Sequence, residues 1–135
     1  MPPKDARDVD GALKDDVKLE SLSLAADAHT LDGSVLVRNI AFEKRVAARF
    51  TLDAWQTTSE VTARYLDSPA PSTIDRFVFK VRLSDMLGKI VGRTMEIALR
   101  YEVAGRELWD NNARENYRVV FEKAVSKPAF VASPE

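Results

Sequence analysis

Apolar residues recur at every second position along several stretches of the chain. Val46, Ala48, Phe50 and Leu52 alternate with Ala47, Arg49, Thr51 and Asp53, which is the period of a half-buried strand. Phe77, Phe79, Val81 and Leu83 face one way while Arg76, Lys80 and Arg82 face the other. Met95, Ile97, Leu99, Tyr101 and Val103 alternate in the same manner with Glu96, Arg100 and Glu102. Weaker alternation predicts further strands at Val17–Leu24, Ser34–Phe42, Glu60–Tyr65, Arg106–Trp109 and Tyr117–Glu122. A total of about eight short strands predicts an all-β fold, an antiparallel β-sandwich.

The connections carry turn chemistry. Glu43-Lys44 reads as a tight polar hairpin between two alternating runs, and Ala104-Gly105 as another. Asp67-Ser68-Pro69-Ala70-Pro71-Ser72 reads as a proline-rich loop in which the ladder stops. Ser84 to Gly92 has room for one helical turn, with Ser84 and Asp85 as candidate caps. Residues 1–16 are charged and poor in large apolar side chains, so they read as a flexible tail. The expected organisation is this tail, one sandwich over 17–125 and a C-terminal tail over 126–135.

Composition narrows the partners. A chain of 135 residues with 45% apolar content forms one domain with a real core. Lysine plus arginine number 20 against 21 acidic residues, so there is no broad attraction to nucleic acid or to anionic membrane surfaces. Cysteine is absent, which removes disulfides, thiolate metal sites and cysteine nucleophiles, and which fits a reducing, cytoplasmic setting. No signal-type segment opens the chain, and nothing in it reaches the ~18 apolar residues of a membrane span.

Catalytic constellations are missing as well. His29 is the single histidine and sits in a loop, and the carboxylates Glu43, Asp53, Glu60, Asp75, Glu102 and Asp110 fall mostly on outward faces and turns. Asp110-Asn111-Asn112 offers oxygens suited to calcium but lacks the spacing of an EF-hand loop. No enzyme activity, metal or cofactor is expected.

Two segments carry more specific information. The first runs from Val37-Arg38-Asn39-Ile40-Ala41-Phe42-Glu43-Lys44-Arg45-Val46 through Arg49, Thr51 and Asp53 to Trp55. The second is Trp109-Asp110-Asn111-Asn112-Ala113-Arg114-Glu115-Asn116-Tyr117-Arg118-Val119. Together they resemble the two signature blocks of the family 21 carbohydrate-binding modules, closest to the branch found in glycogen-targeting subunits of protein phosphatase 1. The resemblance implies an eight-stranded, immunoglobulin-like sandwich that binds α-1,4-glucan, glycogen or starch, without cleaving it. It also implies association with glycogen, with the phosphatase 1 catalytic subunit and with glycogen synthase. A starch-binding appendage of an amylase and a sandwich serving only protein interaction are the alternatives. The first is disfavoured by the missing signal segment and cysteines, the second by the candidate sugar residues.

A glucan presents apolar C–H faces flanked by hydroxyls, so its site needs a flat aromatic platform edged by amides or carboxylates. Trp55 stands past a strand end among Gln56, Thr57, Thr58 and Ser59, placed either to cap the sandwich or to bind. By the resemblance it is the sugar platform. Trp109 is its aromatic companion, Asn111 and Asn116 are the hydroxyl-binding amides, and Asp110 and Lys44 complete the set. Trp109 fits the core equally well, and asparagines also serve turns. Phe42 and Tyr65 match a second sugar site, although Phe42 also reads as a strand-end core residue. Ala98 departs from the pattern, because starch-binding members carry a tyrosine there. Arg118-Val119-Val120-Phe121 has the letters of a phosphatase 1 docking motif. Its anchors Val119 and Phe121 alternate inward with Tyr117, so docking by these residues is disfavoured and expected from outside this chain.

Overall fold

The computed structural model describes residues 15–26, 29–84, 86–112 and 115–122. The strands in chain order are β1 (Val17–Leu24), β2 (Thr30–Arg38), β3 (Lys44–Thr51), β4 (Ser59–Thr62), β5 (Arg64–Ala70) and β6 (Ile74–Arg82). A one-turn helix α1 (Leu87–Ile90) precedes β7 (Thr94–Val103), β8 (Arg106–Asp110) and β9 (Tyr117–Val120). One antiparallel sheet has the order β1-β2-β6-β5; the other has β4-β3-β7-β8, with β9 also paired to β7.

The inner faces are those the alternation marks. Leu31, Val35, Val37, Phe79 and Val81 from the first sheet meet Val46, Ala48, Met95, Ile97, Leu99 and Tyr101 from the second, all within one buried cluster. Each of the valine, leucine, isoleucine, methionine and phenylalanine side chains among them contributes roughly 1.5–3 kcal/mol by leaving water. Buried Tyr101 donates its hydroxyl to the carbonyl of Arg38 at 2.7 Å, and burial pushes its pKa up to about 12.

β7 decides where the loops meet. It is ten residues long and carries β8 against Leu99–Val103 but β9 against Thr94–Ile97. The loop between β8 and β9 therefore crosses at the middle of β7. On the opposite side of β7, the last residue of β3, Thr51, pairs with Glu96, so the loop that follows β3 emerges at the same place.

Several expectations are corrected. Glu43-Lys44 is not a hairpin, because β2 and β3 belong to different sheets and 39–43 crosses between them. The strand expected at Ser34–Phe42 runs instead over Thr30–Arg38. Gly33 is inside it, and the position needs glycine because an added Cβ would stand 2.2 Å from the Phe79 ring. Glu60–Tyr65 divides at buried Ala63 into β4 and β5, one in each sheet. β5 continues through Asp67, Ser68 and Pro69, which an edge strand with register shifts tolerates. The helical turn exists, but its N-cap is Met86 and no side-chain hydrogen bond caps it, so Ser84 does not take that position, and Asp85 lies outside the described residues. Asp16 is joined to the sandwich through Arg38, whose N–H and Nε both donate to it at 2.9 Å, so the ordered domain starts before Val17. Ala104-Gly105 is the two-residue hairpin expected, with both φ values positive, at 51° and 73°. The tails over 1–14 and 126–135 lie outside the described residues.

Candidate functional site

The loop after β3 is built around two short side chains. Asp53 accepts from the N–H of Thr57 at 2.8 Å and from the Thr57 hydroxyl at 2.7 Å, and the Thr51 hydroxyl lies 2.8 Å from it. These bonds, the Thr57 N–H foremost, lower its pKa to about 2. Buried Thr51 also accepts the backbone N–H of Trp55 at 3.1 Å. Ala54 and Trp55 are thereby held at φ 58° and 71°, a left-handed backbone that strains residues with a Cβ. Trp55 ends up half-buried, and its indole Nε1 donates to Oε1 of Glu96 at 3.2 Å.

The loop between β8 and β9 approaches the same oxygen. Asn116, at φ 58°, donates its side-chain Nδ2 to Glu96 Oε1 at 3.0 Å and its backbone N–H to the Asn111 carbonyl at 2.6 Å. Asn112 donates Nδ2 to the Asn116 carbonyl at 3.2 Å, closing the loop on itself. Glu96 thus brings together Trp55 and Asn116. Trp109, 39% exposed, pairs with Arg100 four residues along β7 from Glu96, and the Arg49 guanidinium lies 5.1 Å from its ring centre. A groove of about 1300 Å³ leads from Trp109, Asn111 and Asn116 toward β1. Trp55 and Glu96 lie outside it.

Tyr65 lies on β5 of the first sheet and Phe42 in the crossover before β3; Phe42 is 95% exposed and Tyr65 53% exposed. A polar chain runs from Lys44 of β3 to Tyr65. Lys44 Nζ lies 3.1 Å from Asp75, Ser68 Oγ donates to Asp75 at 2.7 Å, and the Tyr65 hydroxyl is 2.7 Å from Ser68 Oγ. The Tyr65 ring also meets Phe77 edge-on at 5.9 Å.

Residues 12–120 match the carbohydrate/starch-binding module of family 21. The chain belongs to this family. Protein phosphatase 1 regulatory subunit 3E of Mus musculus is 41% identical over 98 residues, covering 70% of this chain and 33% of that protein. Glycogen-binding subunit 76A of Drosophila melanogaster is 34% identical over 110 residues, covering 81% of this chain and 16% of that protein. The chain therefore spans about a third or less of these relatives. Among solved structures, the carbohydrate binding module of the muscle glycogen-targeting subunit of protein phosphatase 1 aligns with a TM-score of 0.68 at 32% identity, over 82% of this chain and 79% of that one. The starch binding domain of Rhizopus oryzae glucoamylase, solved in complex with β-cyclodextrin and maltoheptaose, aligns at 0.62 with 26% identity, over 78% and 93%.

Within this family 21 module, two predicted sugar residues have side chains engaged by protein groups. Asp110 is 7% exposed, and its carboxylate accepts from the N–H of Leu19, the N–H of Asn112 and the Tyr117 hydroxyl at 2.8, 3.1 and 2.6 Å. Its oxygens face the protein, so it anchors the loop. Lys44 is buried against Asp75. Phe42 is not a core residue, since the 39–43 crossover leaves it in solvent. Phe121 is buried and Val119 half-buried, so both anchors of the Arg118-Val119-Val120-Phe121 motif pack on the core. At the Ala98 position the neighbour across β3 is Arg49, the residue that covers one face of Trp109. Burial first, then Asp110, raises the Tyr117 pKa, so its phenol stays a donor at neutral pH.

Glu96, Thr51 and Arg49 make contacts that the sequence does not mark. Glu96 appears there only as one member of an outward alternation, like Glu102, and Arg49 and Thr51 stand in the first block without a contact of their own. The signal that separates them is cross-strand register, which one sequence does not reveal. Among the described residues no group of three or more His, Asp or Glu could hold a metal ion, and no helix is long and apolar enough to cross a membrane.

Proposed function

We propose that this module binds α-1,4-glucan of glycogen or starch type without cleaving it, using Trp55 as the main platform. The observation that carries this is the Trp55 indole, held on a strained loop and tied through Glu96 to the same carboxylate as the Asn116 amide. A ring with a fixed edge suits the apolar face of a glucose unit, and amides beside it suit paired hydroxyls. Trp109, Asn111 and Asn116 extend this site, and Phe42 with Tyr65 form a second one. The regulatory relatives support a role in bringing protein phosphatase 1 and its substrates, such as glycogen synthase, to cytoplasmic glycogen. In that reading β9 stays in the sandwich and phosphatase contact is made elsewhere.

Co-sedimentation of the purified chain with glycogen, with a β-1,4-glucan as control, tests the proposal. Retention on glycogen alone is expected, with no reducing sugar released. Equal retention on both polymers, retention on neither, or release of sugar would overturn it.

A further inference from the structure

Among the described residues, four of the six non-glycine positions with positive φ lie in the two loops of the site: Ala54 and Trp55 in one, Asn112 and Asn116 in the other. Such conformations persist only where surrounding bonds over-determine them, and they gather where a precise arrangement has a use. At Trp55 the surroundings are the Thr51 hydroxyl on the backbone and Glu96 on the ring. At Asn116 they are the Asn111 carbonyl on the backbone and, again, Glu96 on the side chain. Two loops separated by 61 residues of chain between Trp55 and Asn116 therefore end on one carboxylate oxygen.

Glu96 is well placed to impose that arrangement. Its backbone lies inside β7, in register with Thr51 on one side and Arg118 on the other, so it is held by strand pairing on both edges. Its neighbours Met95 and Ile97 point into the core and prevent the strand from turning. We infer that Glu96 is a positioning residue that couples the Trp55 ring to the Asn116 loop, so that a glucan meets both as one preorganised surface. The inference rests on the proposed glucan reading. Its physical basis is that a side chain already held in its bound rotamer loses less freedom when ligand arrives.

The requirement is for an acceptor, not for a charge. A single carbonyl oxygen has two lone pairs and can take both donors, so glutamine should serve where alanine fails. A direct charged contact with sugar predicts the reverse, with Glu96→Gln as damaging as Glu96→Ala.

The test uses the full chain, β-cyclodextrin as probe, calorimetry for affinity, and NMR of the tryptophan indole N–H signals in unliganded protein. With only two tryptophans, the Trp55 signal is identified by its loss in Trp55→Phe. Glu96→Ala should lower affinity about tenfold, shift the Trp55 indole signal and hasten its exchange with water, while Glu96→Gln stays within about threefold of the parent. Trp55→Phe keeps a ring but loses the donor, so combining it with Glu96→Ala should weaken binding by less than the product of the two single effects. Unchanged affinity and indole signal in Glu96→Ala would overturn the inference, as would equal weakness in Glu96→Gln and Glu96→Ala. If the parent protein fails to bind β-cyclodextrin, the glucan reading falls. The unliganded indole signals then still decide whether Glu96 holds the loop: a shift in Glu96→Ala supports coupling, and none overturns it.

Discussion

The phenol of Tyr117 donates to Oδ2 of Asp110 across 2.6 Å, onto the oxygen that also takes the backbone N–H of Leu19 at 2.8 Å. Leu19 is in the first sheet and Asp110 in the second, so this carboxylate ties the sandwich together beside the β8–β9 loop. Tyr117→Phe removes one donor and leaves a buried charge less well satisfied. The expected cost is about 1.5–3 kcal/mol, read by urea unfolding, because bonds to charged groups are worth that much. A change below about half a kcal/mol, the range of a neutral surface substitution, would show that Asp110 does not depend on the phenol.

The two tryptophans should separate in their effects. Trp55→Ala is expected to lower glucan affinity by ~2 kcal/mol or more, about thirtyfold, as loss of a stacking anchor does. Its stability cost should be near 1 kcal/mol, since the ring is half-buried and makes one hydrogen bond. Trp109→Ala should weaken binding less and lose the Arg49 contact, worth about 0.5–1 kcal/mol at an exposed site. Calorimetric titration with β-cyclodextrin and thermal unfolding of both variants decide the matter. Normal binding by Trp55→Ala would remove it as the platform.

The loop that presents Trp55 should resist acid. Asp53 has its folded pKa lowered from 3.8 to about 2, so its ionised form stabilises the folded loop. That contribution is fully present above about pH 4 and is lost as pH falls through about 2. In the parent protein the backbone N–H signal of Thr57, whose acceptor is Asp53, should therefore keep its position from pH 6 down to about 3. Asp53→Asn should disturb the signal at neutral pH already, because the amide cannot accept all of the Thr57 and Thr51 donors in the same geometry. An unperturbed signal in that variant would show that the loop is held by Thr51 alone.

Gly33 faces the Phe79 ring, whose Cζ would stand 2.2 Å from an added Cβ. Phe79 is buried at 2% exposure and cannot swing into solvent without opening the core. Gly33→Ala should therefore cost about 1–3 kcal/mol by overpacking, measured by chemical denaturation. A neutral or stabilised variant would mean that the ring has room to shift.

The period-two alternation of Val46 to Leu52, Phe77 to Leu83 and Met95 to Val103 determined by itself the all-β class and most of the core. A strand's side-chain direction is local, and each residue's face follows from its neighbours in sequence. The turn at Ala104-Gly105 was legible for the same reason. Sheet membership was not, since the polar Glu43-Lys44 reads identically in a hairpin and in a crossover. Only pairing between distant strands distinguishes them. Trp55 and Asn116 could be singled out from their residue types and blocks. Glu96 could not, because its position on β7 resembles that of Glu102 until β3 and the β8–β9 loop arrive on either side of it. Asp110 shows the converse: among polar neighbours it reads as a surface ligand, and its burial follows from contacts with β1, 91 residues away in sequence. Local periodicity determined which face each side chain takes; the tertiary structure decided which side chains meet, because hydrogen bonds between remote segments depend on register that no local pattern encodes.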